Sequence, residues 1–294
     1  GGLLGKRGSV IIDNANNLDV LTTGVITATI SNTNIADFVN LTGTGNAYTV
    51  TVTDAAVTAA ELNTLNERTT VAIECSGSET SLVITGSSTE LDTMLSAKVS
   101  GEITYNPDTV VTLNGTTTAG DIDDRLSKDA NVSETINNTA EDFILDGSYD
   151  EINTVLGYIA NNRVTIASGS TIPVSISGQT ITVAEANDLY NNTNVSSVTA
   201  SISNDKASVL TGLIGTNVYT IGIGDDTSVS VSDIDTINSK TTGTLTVNST
   251  TVTGSYTQLD NLYSSQTAPS GLGNEAFNVS GDDISVSQAN KLDD

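Results

Sequence analysis

Apolar and polar positions along this chain switch between two periods. Strings such as Tyr48-Thr49-Val50-Thr51-Val52-Thr53, Thr180-Ile181-Thr182-Val183 and Thr244-Leu245-Thr246-Val247 alternate strictly. Alternation sends successive side chains to opposite faces, so each string predicts a half-buried strand with threonine on its wet side. Between such strings stands a motif with apolar residues three or four apart, the spacing of one helical stripe. Its copies are Asn17-Leu18-Asp19-Val20-Leu21, Glu61-Leu62-Asn63-Thr64-Leu65, Glu90-Leu91-Asp92-Thr93-Met94 and Asp121-Ile122-Asp123-Asp124-Arg125-Leu126. They continue with Glu151-Ile152-Asn153-Thr154-Val155, Glu185-Ala186-Asn187-Asp188-Leu189, Asp233-Ile234-Asp235-Thr236-Ile237, Gln258-Leu259-Asp260-Asn261-Leu262 and Gln288-Ala289-Asn290-Lys291-Leu292. Thr58, Ser88, Thr118, Ser148 and Ser232 lie just upstream, where a hydroxyl caps the first free amides of a helix.

The first apolar residues of these copies are 44, 29, 31, 30, 34, 48, 25 and 30 positions apart. Each of the two long gaps holds a degenerate copy, near Ile35-Ala36-Asp37-Phe38 and near Ala207-Ser208-Val209-Leu210. Residues 1–294 therefore read as a single elongated array of about eleven units of 25–30 residues. A strand, a cap and a two-turn helix are too small to bury their own apolar face, and a helix that short is not stable alone. Stacked units bury a continuous core. The expected fold is mainly β, a repeat β-solenoid with a short helix on most turns. Tandem β-sandwich domains are the alternative; they explain the strands but not the recurring helical motif.

Charge and composition narrow the function. The chain carries 10 Lys plus Arg against 35 Asp plus Glu, a formal net charge of -25, with no His and one Cys. Thr, Ser and Asn number 47, 33 and 29, so most of the polarity is uncharged. A surface so poor in cations does not neutralise phosphates, which argues against nucleic acid and anionic lipid as partners. No apolar run is long enough to span a membrane as a helix. Without His, serine and cysteine nucleophiles lose their usual base. Cys75 has no internal partner and sits in the alternating string Val71-Ala72-Ile73-Glu74-Cys75, as an ordinary small side chain would.

The string Gly271-Leu272-Gly273-Asn274-Glu275-Ala276, followed by strand, Asp, strand and the Gln-Ala-Asn-Lys-Leu motif, resembles the repeats of giant cyanobacterial cell-surface proteins of the swimming and adhesin type. Leu41-Thr42-Gly43-Thr44-Gly45-Asn46 leading into Tyr48, and Thr241-Thr242-Gly243-Thr244 leading into strand, resemble them too. The likeness covers most of the chain; residues 129–180 are less regular. It implies an extracellular or cell-surface protein of structural or adhesive kind and carries over no catalytic residue.

The candidate chemistry is thin. The paired acids Asp225-Asp226 and Asp282-Asp283 stand beside Gly222, Gly224 and Gly281 in loops, where carboxylate oxygens suit calcium. Asp123-Asp124 and Asp293-Asp294 are further pairs, although neither the twelve-residue calcium loop nor a calcium nonapeptide occurs. Sugar-cleaving carboxylates usually come with aromatic platforms, and here there is no Trp and 3 Phe. Tyr158, Tyr190, Tyr219, Tyr256 and Tyr263 read as edge-of-core residues or as a sugar-contact patch. The expectation is a non-enzymatic structural or adhesive protein that forms a stiff acidic rod, filament or layer. It holds no cofactor, calcium excepted, associates with itself and meets cell-surface glycans. A phage tail-fibre-like host-recognition protein is the alternative.

Overall fold

A computed structural model describes residues 8–76, 82–115, 117–130, 132–136, 143–166, 171–224, 226–265, 268–281 and 283–293. Helix makes up 35% of the described residues and strand 32%, so the fold is mixed α/β with several parallel sheets. This overturns the expected mainly-β solenoid, and the sandwich alternative with it. The cause lies in the helical motif, which extends further than two turns. Capping boxes start the helices Ala59–Asn66, Ala119–Lys128, Val183–Asn191 and Tyr256–Ser264. In Thr58 and Glu61, for example, each side chain bonds the other residue's amide, which satisfies two otherwise orphaned donors. The caps fall on Ser87 and Ser230 where Ser88 and Ser232 are expected.

The chain divides into two compact units, one of residues 1–143 and 154–170, the other of residues 144–153 and 171–294. The first contains a five-stranded sheet in the order Val164–Ile166, Ser133–Ile136, Val110–Leu113, Val83–Gly86, Ala56–Thr58. Two three-stranded sheets accompany it: Ser9–Val10, Thr27–Ile30, Ala47–Thr49, and Thr51–Val52, Ile73–Cys75, Ile103–Tyr105. The second unit holds the order Leu145–Gly147, Ile172–Ile181, Val195–Ile202, Val218–Ile223, Thr244–Val247. It also holds the order Ser228–Ser230, Thr251–Gly254, Ala276–Val279.

All these pairings are parallel, and each strand lies beside its counterpart from the neighbouring repeat. Parallel neighbours need a crossover, and the motif helix supplies it. Register then stacks like on like. The column Val57, Ile84, Val111, Glu134, Val164 runs through five strands of the first unit. Four of its members are aliphatic, and the exception organises the site described below.

The first motif copy is shifted by three residues from the expected register. Ala15 is fully buried, whereas Val20 and Leu21 are 86% and 80% exposed. The inward stripe is therefore Asn14-Ala15-Asn16-Asn17-Leu18, which has the form of Glu185-Ala186-Asn187-Asp188-Leu189. With that shift the long gaps become Ala15 to Leu62 and Ala186 to Ile234, 47 and 48 residues. The degenerate copies inside them are the four-residue helices Ile35–Phe38 and Ala207–Leu210.

Candidate functional site

The densest set of charged side chains among the described residues surrounds the helix Ala119–Lys128 in the first unit. Thr118 caps this helix, and its inward stripe is Ala119, Ile122, Arg125 and Leu126. Arg125 stands at the fifth motif position, where Leu65, Met94 and Val155 fill other repeats. It is fully buried, and so, at 1% exposure, is Glu134 in the sheet column. Two aliphatic positions have thus been exchanged together for an ion pair.

The pair is bidentate. Arg125 Nε donates to Glu134 Oε2 at 3.0 Å and Nη2 to Oε1 at 2.7 Å. Nη1 donates to Ser88 Oγ at 2.7 Å, and Nη2 also to Thr117 Oγ1 at 3.1 Å. Asp92 Oδ1 completes the surroundings at 3.6 Å, an ion-pair contact longer than a hydrogen bond. Burial penalises both charges, and the fork of donors onto the carboxylate offsets that penalty.

A second group adjoins the far end of the same helix. Lys98 Nζ lies 2.5 Å from Asp129 Oδ2, and the Tyr105 hydroxyl lies 3.5 Å from the same oxygen. Burial pushes the Tyr105 phenol well above its ordinary range, and the Asp129 charge adds to that. Arg163 Nη2 donates to the Leu126, Asp129 and Val132 carbonyls at 2.8, 3.0 and 3.4 Å, the first of them an oxygen that the helix end leaves free. Its guanidinium lies 5.1 Å from the ring centre of Tyr158, whose hydroxyl donates to Asp123 Oδ1 at 2.6 Å.

Chemically most of these groups are spent on each other, with Asp92 Oδ1 and Arg163 Nε buried without a hydrogen-bond partner. The hydroxyl of Ser88 faces a guanidinium, which does not take up a proton, and the Glu134 carboxylate is held by two arginine donors. The arrangement is a clamp between successive repeats.

Smaller polar contacts recur 171 or 172 residues apart. Asn16 Nδ2 donates to the Asn40 carbonyl and its Oδ1 accepts from Thr42 N; Asn187 does the same with the Gly212 carbonyl and Ile214 N. Asn46 Oδ1 accepts from Ile26 N at 2.9 Å, and Asn217 Oδ1 from Val198 N at 3.0 Å. Thr69 Oγ1 bonds both backbone groups of Tyr48, and Thr241 Oγ1 both of Tyr219. Each satisfies a backbone group of a neighbouring repeat: the Asn16 and Asn187 pairs hold the turn after a short helix, the others hold strand backbone beside the ladder.

Of the acids singled out for calcium, Asp226 and Asp283 are among the described residues. Asp225 and Asp282 lie outside the described residues. Asp226 Oδ2 accepts from Ala207 N at 2.7 Å and so caps a short helix, as Asp54 Oδ2 does for Ile35 N at 2.7 Å. Asp283 is exposed. Among the described residues no group of three or more His, Cys, Asp or Glu side chains is placed to hold a metal ion. Cys75 is buried, and burial with the nearby Asp54 and Glu74 charges pushes its thiol up to about 12.

No family model, curated protein or solved structure matches this chain. The tyrosines accordingly stand on geometry alone. Tyr219 is buried and Tyr190 is 45% exposed. Tyr263 donates to Glu275 Oε2 at 2.8 Å and meets Phe277 edge to face at 4.7 Å. Tyr256 and Tyr263 share the helix Tyr256–Ser264, whereas Tyr190 and Tyr219 belong to the helix Val183–Asn191 and the strand Val218–Ile223. The Arg125–Glu134 pair went unread in the sequence, although a base at a motif position otherwise aliphatic was its visible sign.

Proposed function

We propose that this chain is a structural or adhesive module of an extracellular or cell-surface protein, with no turnover of its own. The observation that carries the reading is where the recurring polar side chains go. Asn16 and Asn187, Asn46 and Asn217, Thr69 and Thr241, and Asp54 and Asp226 all bind the backbone of an adjoining repeat. An enzyme built on repeats sets polar groups aside in a cleft; here the repeated polar positions are committed to cohesion.

The acidity supports an outside setting. A net charge of -25 on a Thr-, Ser- and Asn-rich surface repels like surfaces except where divalent cations screen or bridge them. Calcium at the loops of Asp225, Asp226, Asp282 and Asp283 is the cation this reading takes. The likeness of Gly271–Ala276 and its sequel to cyanobacterial surface repeats points the same way. Self-association and contact with surface glycans are the partnerships proposed.

The test has two arms. Incubation with neutral and anionic cell-surface polysaccharides is expected to release no reducing ends or unsaturated sugars. Electron microscopy with calcium, then with a chelator, is expected to show assemblies that loosen on chelation. Release of sugar products, or particles indifferent to calcium, contradicts the reading.

A further inference from the structure

Many threonine hydroxyls of this chain return to its own backbone. Those of Thr64 and Thr93 donate to the Ala60 and Thr89 carbonyls, one helical turn back, at 2.9 Å each. Thr104 Oγ1 donates to the Ile73 carbonyl at 3.1 Å. A second set of hydroxyls is held back from such bonds, and strand register gathers it into columns.

In the five-stranded sheet of the first unit, Thr58, Thr85, Thr112, Thr135 and Thr165 pair in succession. In the five-stranded sheet of the second unit the column is Thr180, Ser201, Thr220 and Thr244. The sheet that begins with Ser9–Val10 repeats the pattern with Ser9, Thr29 and Thr49. Thr58 is used by its helix cap. None of the other hydroxyls in these columns bonds another group of the protein among the described residues. All are exposed or half-buried, while Val57, Ile84, Val111, Ile221 and Leu245, next to them in the strands, face the core.

The columns alongside are uncharged too: Ala56, Val83, Val110 and Ser133 in the first unit, Ser175, Thr199 and Val218 in the second. None of these outward positions holds one of the chain's 35 acids or an aromatic ring. Strand structure does not impose that exclusion. In the sheet of Thr51–Val52, Ile73–Cys75 and Ile103–Tyr105 the outward column reads Thr51, Glu74, Thr104, with Glu74 exposed.

We propose that the hydroxyl ladders bind the surface of ice. Neighbouring strands lie about 4.8 Å apart, so a hydroxyl and a methyl recur at that interval across each sheet. The first-unit ladder keeps its register through four pairings without a bulge. Surface oxygens of hexagonal ice repeat at nearly the same interval. Each free hydroxyl donates once and accepts twice, as a lattice site requires. The threonine methyls, with Val83, Val110 and Val218, order the water between them. A sugar surface is gripped by aromatic platforms and charge-assisted forks, and the ladders have neither, so solid water is the matching occupant. The inference goes beyond the structural reading and does not rest on it.

The test freezes the chain into a slowly growing ice shell and assays the melted ice for protein, with crystalline cellulose and chitin as rival surfaces. The wild type is expected to concentrate in the ice and to keep small ice crystals from coarsening on annealing. Thr29→Lys, Thr112→Lys and Thr220→Lys combined put a hydrated charge in every ladder and are expected to abolish both effects. Thr23→Lys, Thr64→Lys and Thr93→Lys combined add the same charge at exposed positions off the sheets and are expected to keep both. A second ladder variant, with Thr165→Lys at an exposed position in place of Thr112→Lys, guards against a folding defect, which circular dichroism would show. A wild type excluded from ice, a folded ladder variant that still enters it, or retention on cellulose or chitin in preference to ice overturns the proposal.

Discussion

Residues 15–75 and 186–247 follow one scheme and differ in how they treat a single hydroxyl. Tyr48 and Tyr219 are both fully buried at equivalent places. In the second copy Asn217 Nδ2 donates to the Tyr219 hydroxyl at 3.1 Å. In the first, Asn46 Nδ2 turns to Asp19 Oδ1 at 2.8 Å, and the Tyr48 hydroxyl is left without a partner. The swap traces to one position: Asp19 corresponds to Tyr190. A Cβ on Gly43 would come within 2.8 Å of Asp19 Cγ, and one on Gly215 within 2.0 Å of the Tyr190 ring. Both side chains thus lie over the same glycine, but only the carboxylate accepts the amide. A repeat keeps its backbone scheme while its polar partners are redistributed, provided the neighbouring repeat's amide is still met.

The largest expected effect breaks the contrast between the ion-paired column of the first unit and the apolar column Val229, Val252, Phe277 of the second. Arg125→Met leaves Glu134 buried and unpaired, and is expected to destabilise by about 3–5 kcal/mol. Adding Glu134→Val restores the aliphatic column and is expected to recover most of that loss, as urea denaturation of both variants would register. Recovery by the second change separates a structural clamp from a required functional pair.

Next come the two tyrosines, with effects of different size. Tyr219→Phe strands the Asn217 amide and is expected to cost about 1–2 kcal/mol. Tyr48→Phe removes a hydroxyl that has no partner and is expected to be neutral or mildly stabilising, by less than about 1 kcal/mol. Equal losses at both sites would contradict the partner swap. Asp54→Ala and Asp226→Ala each remove a cap from a four-residue helix, and each is expected to cost about 1 kcal/mol, read as parallel shifts of the denaturation midpoint.

The smallest effect concerns Cys75 and pH. Burial, with the nearby Asp54 and Glu74 charges, pushes its thiol from the ordinary 9.0 up to about 12 in the folded chain. The stability its burial contributes is whole below pH 9.0 and is lost as pH rises toward 12. At pH 8 an alkylating reagent is therefore expected to label Cys75 only as fast as the surrounding unit opens, and mass spectrometry would follow the adduct.

Much of the local structure was legible because two periods and a capping signal repeat along the chain. Thr58 with Glu61 and Thr182 with Glu185 announce their helices from sequence alone. The balance of helix and strand was not legible. Nothing in a five-residue motif says that Ser88–Val99 continues for 12 residues, since its length is set by packing of Leu95 and Ala97 beyond the motif. The first copy departs from the expected register because Val20 and Leu21, apolar like the inward residues of other copies, face solvent. Asn46 and Thr69 look like ordinary turn residues; their role depends on a backbone gap some twenty residues away, which periodicity does not encode.

The central claim is that side chains from the adjoining repeat hold the backbone where ladder bonds are missing. Amide hydrogen exchange tests it at Ile26, Tyr48, Val198 and Tyr219, whose N–H groups donate to Asn46, Thr69, Asn217 and Thr241. These four amides are expected to exchange as slowly as those of the strands Val83–Gly86 and Thr244–Val247, and Asn217→Ala is expected to release Val198 while leaving Ile26 protected. Exchange of all four at unprotected-loop rates in the wild type would contradict the account.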